Sequence, residues 1–450
     1  LERRGLVQYD SHTRRHDLHP VVRGVAAGDM NSKDRDRYGQ QVVDHFSSVP
    51  HNPYEQATTL EDVAHGLHLV RTLIKLERFQ EAASAYRGDL AGALLVNLEA
   101  HTETLSLLRP FFPDGWSQLP RGIDASDASW LANAAGFSLQ AYGERDEAMA
   151  ALGAKVQSNL ERMENLGLIT GLRNISTILK DLNLQAKASR LPVLSVDLAR
   201  VREDKETLFV SLLLLYATQS ALGQHEKASE TWRELDPMGR SWRRALYRQG
   251  KAEYAWALEQ FYQGTLQESH LSQATQLAEE DNNRADLRFL QRLRGAWRLE
   301  QGNWAAAAAG FQEAVRMARE RRLTDEASEA GLALAKVHLG QQPDEARQEA
   351  VRLSRQRRPS HRYLAMLWHA LGDPQEAKKH ALASYREAWG QGEPYVHRYN
   401  LTKTTELLQA WDVPIPDLPP YDPAQDEPFP WEAGVRARID ALRAKKESKD

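Results

Sequence analysis

The chain has 450 residues, 58 Lys+Arg against 62 Asp+Glu, a formal net charge of -4, 42% hydrophobic residues and no cysteine. So balanced a charge gives no global field for indiscriminate binding of nucleic acid or anionic lipid, and any basic site has to be local. The missing cysteines exclude disulfides, thiolate zinc sites, iron–sulfur clusters and a cysteine nucleophile, and fit a cytoplasmic location, while the length predicts about three domains or one long repeat array.

The chain opens on Leu1 rather than Met, and residues 1–6 read as the middle of a domain, so we expect a C-terminal piece of a longer protein. Residues 6–10 and 16–19 alternate apolar and polar side chains around the polar stretch Ser11 to Arg15, which predicts a β-hairpin. A helix is expected from Pro20, where a first-turn proline is tolerated. From there on, one phrase recurs: a Gly or Asn, a few polar residues, then Ala five residues after the Gly. Gly143, Asn183, Gly223, Gly264, Gly302 and Gly340 are separated by 40, 40, 41, 38 and 38 residues, Gly372 follows after 32, and an outlying copy centres on Glu77. Each position has a reason. Gly suits the left-handed end of a helix, Trp304 is expected to plug the gap between two antiparallel helices, and Ala307 lets their backbones approach.

Seven of the 19 prolines fall between Pro414 and Pro430, so that stretch is expected to be extended, pinned by Tyr421, Phe429 and Trp431 on the last repeat. A polar helix then runs from Trp431 to Glu447, and Tyr421-Asp422-Pro423 could enter the groove as a pseudo-ligand. The longest strongly apolar stretches, residues 212–217 and 304–309, are far shorter than the ~18–20 residues a membrane helix needs, so no membrane partner is expected.

The Gly-to-Ala interval at 143, 223, 302 and 372 resembles the tetratricopeptide repeat, with lengthened helical hairpins, from near Leu60 to near Trp411. That resemblance implies an all-α fold: a right-handed α-solenoid of tetratricopeptide-like hairpins with a short β-hairpin at the N-terminus. The expected divisions are residues 1–29, 30–412 for the repeat array, and 413–450 for the Pro-rich tail and terminal helix.

Residues 1–23 resemble the wing and final helix of the winged-helix domain in bacterial STAND-class (NB-ARC-like) signalling NTPases, which place a repeat array directly after it. The family's Met-His-Asp motif falls on Leu18, His19 and Pro20, so Pro20 stands where the family has its aspartate. By resemblance, His19 touches the phosphates of bound nucleotide in the whole protein, although a helix-capping histidine suits the same position. The resemblance implies ADP or ATP on an NTPase domain upstream and no cofactor in this segment.

Nothing in the sequence calls for catalysis. Gln249-Gly250-Lys251 lacks the remainder of a phosphate loop, and neither the pair His65/His68 nor His361, His369 and His380 has metal-ligand spacing. Candidate binding residues come from the repeat register. With Gly136, Ser176, Ala257, Gly295 and Ala365 as the buried position of each first helix, the residues three earlier are Asn133, Arg173, Tyr254, Arg292 and Arg362, and those four after Ser176 and Ala365 are Lys180 and His369. In the tetratricopeptide family such inward Asn and basic residues clamp peptide backbones and carboxylates, a task that suits planar guanidinium forks. The stripe Arg284, Arg288, Arg292 also reads as a solvated face balanced by nearby acids. The run Arg352 to Arg362 is the densest basic cluster, but thin aromatic interleaving disfavours nucleic acid.

The function expected is therefore a sensor array, not an enzyme. A protein or peptide trigger binds its concave face and relieves autoinhibition of the NTPase domain of the same chain, with oligomerisation on activation as a possible output. The alternative is a scaffold that assembles protein complexes without a nucleotide switch.

Overall fold

The computed structural model describes residues 7–10, 15–18, 31–48, 50–242, 249–280, 283–321 and 323–448. Strands β1 (Val7–Asp10) and β2 (Arg15–Leu18) pair antiparallel, with Val7 opposite Leu18 and Asp10 opposite Arg15. His19 and the helix expected from Pro20 lie outside the described residues. The regular elements that follow, from α1 (Ser32–Ser48) onward, are helices, with an extended stretch at residues 413–422.

Eight helical hairpins follow. The first is α2 (Ala64–Lys75) with α3 (Phe79–Arg87), trailed by the short α4 (Asp89–Gly92), a π turn and α5 (His101–Leu108). The pairs α6 (Ala125–Tyr142) with α7 (Arg145–Glu161), α8 (Asn165–Asp181) with α9 (Gln185–Arg202), and α10 (Lys205–Ala221) with α11 (His225–Trp242) come next. They lead into α12 (Gln249–Tyr262) with α13 (Glu268–Glu280), α14 (Arg284–Glu300) with α15 (Trp304–Glu320), and α16 (Glu326–His338) with α17 (Pro343–Ser354). The last pair is α18 (His361–Ala370) with α19 (Pro374–Trp389), after which α20 (Arg398–Ala410) and α21 (Glu432–Glu447) complete the described fold.

The turn chemistry read from the sequence explains these boundaries. All eight turn positions, Glu77 and Asn183 included, have positive φ, the conformation in which Gly carries no Cβ penalty. At Gly302 the loop closes as a Schellman motif, with Gly302 N–H donating to Leu299 O (3.0 Å) and Asn303 N–H to Arg298 O (2.9 Å). Asn303 Oδ1 then accepts from Ala306 N–H (3.2 Å) and caps the next helix, so two residues end one helix and start another. Close approach is equally local. A Cβ on Gly295 would lie 2.8 Å from Phe311, and one on Gly310 would lie 2.8 Å from the Gly295 backbone nitrogen, so α14 and α15 touch backbone to backbone. Trp304 packs against the core that its hairpin shares with its neighbours, and it also stacks on His338 (3.9 Å, 8° between planes), which ties its hairpin to the next.

The array winds far enough for successive turns of the superhelix to touch. At one side Glu99 pairs with Arg288 (2.9 Å) and Arg321 donates to Thr58 O (3.5 Å). At the other, Arg357 pairs with Glu144 (3.1 Å), Arg358 donates to the Asp181 carbonyl, and Gln391 Oε1 accepts from Ala186 N–H (2.9 Å). Three residues of the basic run therefore face inward or across this seam, and a fourth, Arg352, pairs with Glu329 and Glu349.

The tail departs in part from expectation. Tyr421 does meet the end of the last repeat, its ring 4.7 Å from that of Tyr395, but Trp431, Val435 and Ile439 are buried in the core of α6 to α9, because winding brings the start of α9 beside the loop that follows α19. Arg190 on α9 anchors the tail by pairing with Asp426 and with Glu432 (3.2 Å), both carboxylates being almost fully buried. No described tail residue lines the central cavity, and Tyr421 instead donates to Asp426 Oδ2 (2.7 Å), so the pseudo-ligand reading falls. Among the described residues no helix is long and apolar enough to cross a membrane.

Candidate functional site

A cavity of about 800 Å³ occupies the middle of the superhelix. Its wall comes mainly from the first helices of the second to eighth hairpins, because the Gly, Ser or Ala of the register buries the opposite face. Ser176 shows how. Its hydroxyl donates to Ala188 O on α9 (2.8 Å), which holds α8 with Arg173, Asn174 and Lys180 facing inward.

Of the seven array residues picked from the register, Asn133, Arg173, Lys180, Tyr254, Arg292 and Arg362 meet around this one cavity. His369 does not. It is exposed on the outside and stacks on Trp411 (4.5 Å), because α18 is only ten residues long and its last turn packs beside the end of α20. Two of the four arginine and lysine choices are also engaged more fully than expected. Arg292 Nη1 lies 3.5 Å from Asp325 Oδ1 and stacks over Phe289 (5.0 Å), and Arg362 Nη1 lies 3.2 Å from Glu300 Oε1 and over Tyr363 (4.7 Å). Burial works against both guanidinium charges, but Asp325 with Tyr254 for Arg292, and Tyr363, Tyr399 and Glu300 for Arg362, outweigh it and raise both pKa values. Glu300 also accepts from the Tyr399 hydroxyl and faces Lys403 (3.6 Å).

The opposite wall is built on hydrogen-bond donors. Asn133 Oδ1 accepts from Lys155 Nζ (2.7 Å) and from Asn174 Nδ2 (2.8 Å), which fixes the amide and leaves its own NH₂ for the cavity. Lys155 is only 3% exposed. Burial, then repulsion from Arg173, pulls its pKa down to about 7 against the opposing pull of Glu164. Lys180 has no ion pair among the described residues, and burial lowers it to about 8 although Asp181 pulls the other way. It touches solvent through the cavity, with protein on the remaining sides.

Sequence reasoning missed the aromatic lining and the groups near α18 to α20. Phe137, Phe289 and Leu258 stand three or four residues from named positions, so extending the register by one turn finds them. His361, Glu387, His397 and Tyr399 come from beyond that register and leave no sequence signal. His361 begins a buried chain. Its Nδ1 meets His380 Nδ1 (2.7 Å), His380 Nε2 meets Ser354 Oγ (2.9 Å), and His361 Nε2 faces Glu387 (3.7 Å). Trp368 donates to Ser354 Oγ (3.3 Å) and that hydroxyl donates to Ala350 O (2.7 Å), so His380 must donate through Nε2 and accept at Nδ1. His361 then donates from Nδ1 and keeps an acceptor toward Glu387. Burial raises the Glu387 carboxyl to about 7 despite Arg358, and burial with His361 lowers His380 to about 4 despite Glu376. Among the described residues no three His, Asp or Glu side chains are grouped to hold a metal ion.

No protein-family model matches the chain, and no curated protein matches it in sequence. Among solved structures it is similar to a STAND protein with a tetratricopeptide repeat sensor from Pyrococcus horikoshii, at 12% identity and a TM-score of 0.43, over 91% of this chain. This chain spans 58% of the length of that protein. It is also similar to a Rap protein complexed with Competence and Sporulation Factor, at 12% identity and a TM-score of 0.31, over 79% of this chain and 88% of that one. Likenesses this distant do not bear on what the cavity binds.

Proposed function

We propose that this chain is a sensor array that binds a short linear peptide or an extended protein segment inside its superhelix. One observation carries the reading: a cavity of about 800 Å³, lined in common by the inward faces of successive hairpins, combines aromatic side chains with amide, hydroxyl and cationic donors. Aromatic rings suit apolar side chains, and fixed amides such as Asn133 suit backbone carbonyls, which every peptide presents regardless of sequence. A single interior cavity of about 800 Å³ fits an extended segment better than the several folded partners of a scaffold.

The finer reading is a sensor within a multidomain STAND-class NTPase. It is supported by residues 1–23, whose resemblance to the end of a winged-helix domain stands directly before the array. In that setting a trigger that fits only one form of the superhelix shifts the NTPase by its differential affinity and no more. The test of binding is retention of peptides from an unbiased library on the 450-residue chain, with Tyr254→Ala as the control that should release them. Retention unaffected by Tyr254→Ala would place binding outside the cavity. For the switch, the coding sequence upstream of Leu1 should contain a phosphate loop, and peptide should accelerate nucleotide turnover by the whole protein; lack of either removes the NTPase setting.

A further inference from the structure

We infer that the seam between the first helical unit and α14 is the gate of the central cavity, latched by the Glu99–Arg288 ion pair, and that the bound segment enters sideways when the latch parts. This rests on the peptide reading above and adds the route by which the ligand arrives. The two sides of the seam are also two sides of the cavity: Leu95 and Val96 line it from the first unit, and Phe289 and Arg292 line it from α14. Glu99 closely follows the π turn Ala93–Asn97 that carries Leu95 and Val96, and Arg288 adjoins Phe289 and lies over its ring (4.7 Å). Parting the pair therefore opens the wall at that place.

The latch is the buried tie of a seam that is otherwise polar. Glu99 and Arg288 are both buried and meet at 2.9 Å. No apolar core bridges them among the described residues: Leu94 and Leu98 belong to the core of the first unit, Leu287 and Leu290 to that of α12 to α18, and the two cores are separate. Beside the pair lies a second cavity, of about 260 Å³, walled by Thr58 on one side and by Arg284, Arg316, Glu320 and Arg321 on the other, with Arg321 donating to Thr58 O (3.5 Å). A notch this polar lets water reach both charges as they separate. The pair is also held with little to spare. Arg288 Nη1 stands 3.9 Å from Asp325 Oδ2, and among the described residues neither that oxygen nor Arg288 Nε has a hydrogen-bond partner. Glu99 holds φ at 45°, a left-handed conformation that costs a residue with a Cβ. A buried ion pair repays its desolvation only when its remaining polar atoms are satisfied, so the closed and open forms lie near each other in free energy. The opposite seam is fastened differently: the tail crosses it and buries Trp431, Val435 and Ile439 in the core of α6 to α9. A polar interface without a shared core is where packed units move apart, so the superhelix opens at Glu99.

The chain has no cysteine, so Thr177→Cys, on α8 in the wall of the cavity, gives the full chain one thiol to label. Two reagents are compared, N-ethylmaleimide and a hexaglycine carrying a maleimide, with labelling followed by mass spectrometry in otherwise wild-type, Glu99→Gln and Arg357→Gln backgrounds. Arg357→Gln cuts the exposed pair with Glu144 at the opposite seam and controls for general loosening. The expected result is that Glu99→Gln speeds labelling by the hexaglycine reagent about tenfold or more, and by N-ethylmaleimide less, while Arg357→Gln leaves both rates within about twofold. If Glu99→Gln labels at the wild-type rate, or Arg357→Gln labels as fast as Glu99→Gln, the gate is overturned. Labelling needs no natural ligand, so the two readings fail separately. Peptides retained from a library, with labelling unchanged by Glu99→Gln, keep the cavity reading and overturn the gate; faster labelling with no peptide retained keeps the gate and overturns the peptide reading. Should Glu99→Gln melt far below wild type, Arg321→Ala, which removes the tie to Thr58 at the same seam, takes its place under the same criteria.

Discussion

The α6–α8 wall and the α12–α14 wall of the cavity draw on the same inward positions of the repeat, yet they offer a ligand different things. On α6 and α8, Asn133 is held by Lys155 and Asn174, and Lys180 is without an ion pair among the described residues, so donors face the interior. On α12 and α14, Tyr254 and Phe289 stack (5.9 Å), and Arg292 lies over Phe289 with Asp325 behind it. Register therefore places a side chain, but its second neighbour decides what that side chain can do. A guanidinium with a buried carboxylate behind it is part of the wall, and a fixed amide without one is a handle.

The largest effect expected of this comparison is on the aromatic side. Replacing Tyr254 and Phe289 together by alanine should weaken peptide binding by about a hundredfold, as loss of a central aromatic anchor does, with helicity by circular dichroism unchanged. A loss under threefold would mean the donor wall binds alone. Arg292→Met sharpens the contrast in another observable. It strands Asp325, whose side chain is 2% exposed, with Arg288 Nη1 3.9 Å away as its remaining cation, so it should cost about 2 kcal/mol in a urea melt while moving peptide affinity less than threefold. A tenfold affinity loss without destabilisation would make Arg292 a ligand contact after all. Asn133→Ala should do the reverse, lowering affinity by about tenfold at small cost in stability.

Smaller still are the pH effects. Lys155 has a folded pKa near 7, below the unfolded value of 10.5, so the unfolded chain binds the extra proton between those values. Stability should therefore rise as pH rises through that window, and Lys155→Met should flatten the slope of melting temperature against pH there. On the acid side, His101, His380 and His397 fold with pKa values of about 4, while Glu387 folds near 7. The three histidines make stability fall as pH drops from 6.5 toward 4, and Glu387 opposes them between 7 and 4.5. Glu387→Gln should steepen the acid loss; a shallower loss would contradict the raised Glu387.

Much of this was legible in the residues, and the boundary of legibility is physical. The hairpins were, because Gly302 and its counterparts act within a few residues of themselves, and a left-handed turn followed by a cap needs no distant partner. So were Asn133, Arg173 and Tyr254 as inward positions, since a buried Gly, Ser or Ala fixes the face of its helix. Asp325 behind Arg292, Glu300 behind Arg362 and Lys155 behind Asn133 were not, since each pair is chosen by packing between helices. His369 failed for the same reason, set by a helix end and by Trp411. The basic run at residues 352–362, already disfavoured as a nucleic-acid surface by its thin aromatic interleaving, is largely spent on Glu144, the Asp181 carbonyl, Glu300, Glu329 and Glu349, partners that packing alone selects.

The winding that brings Glu99 to Arg288 and Arg190 to Glu432 has a consequence for how the molecule comes apart. An open repeat array holds each unit by its neighbours alone and can fray from its ends one hairpin at a time. Here the first hairpin leans on the sixth and the last helix is buried against the third, so loss of either end exposes apolar surface in the middle. Unfolding should therefore be a single cooperative event over the array, and folding should be slow for an all-helical protein, because its final contacts join residues nearly two hundred or more positions apart.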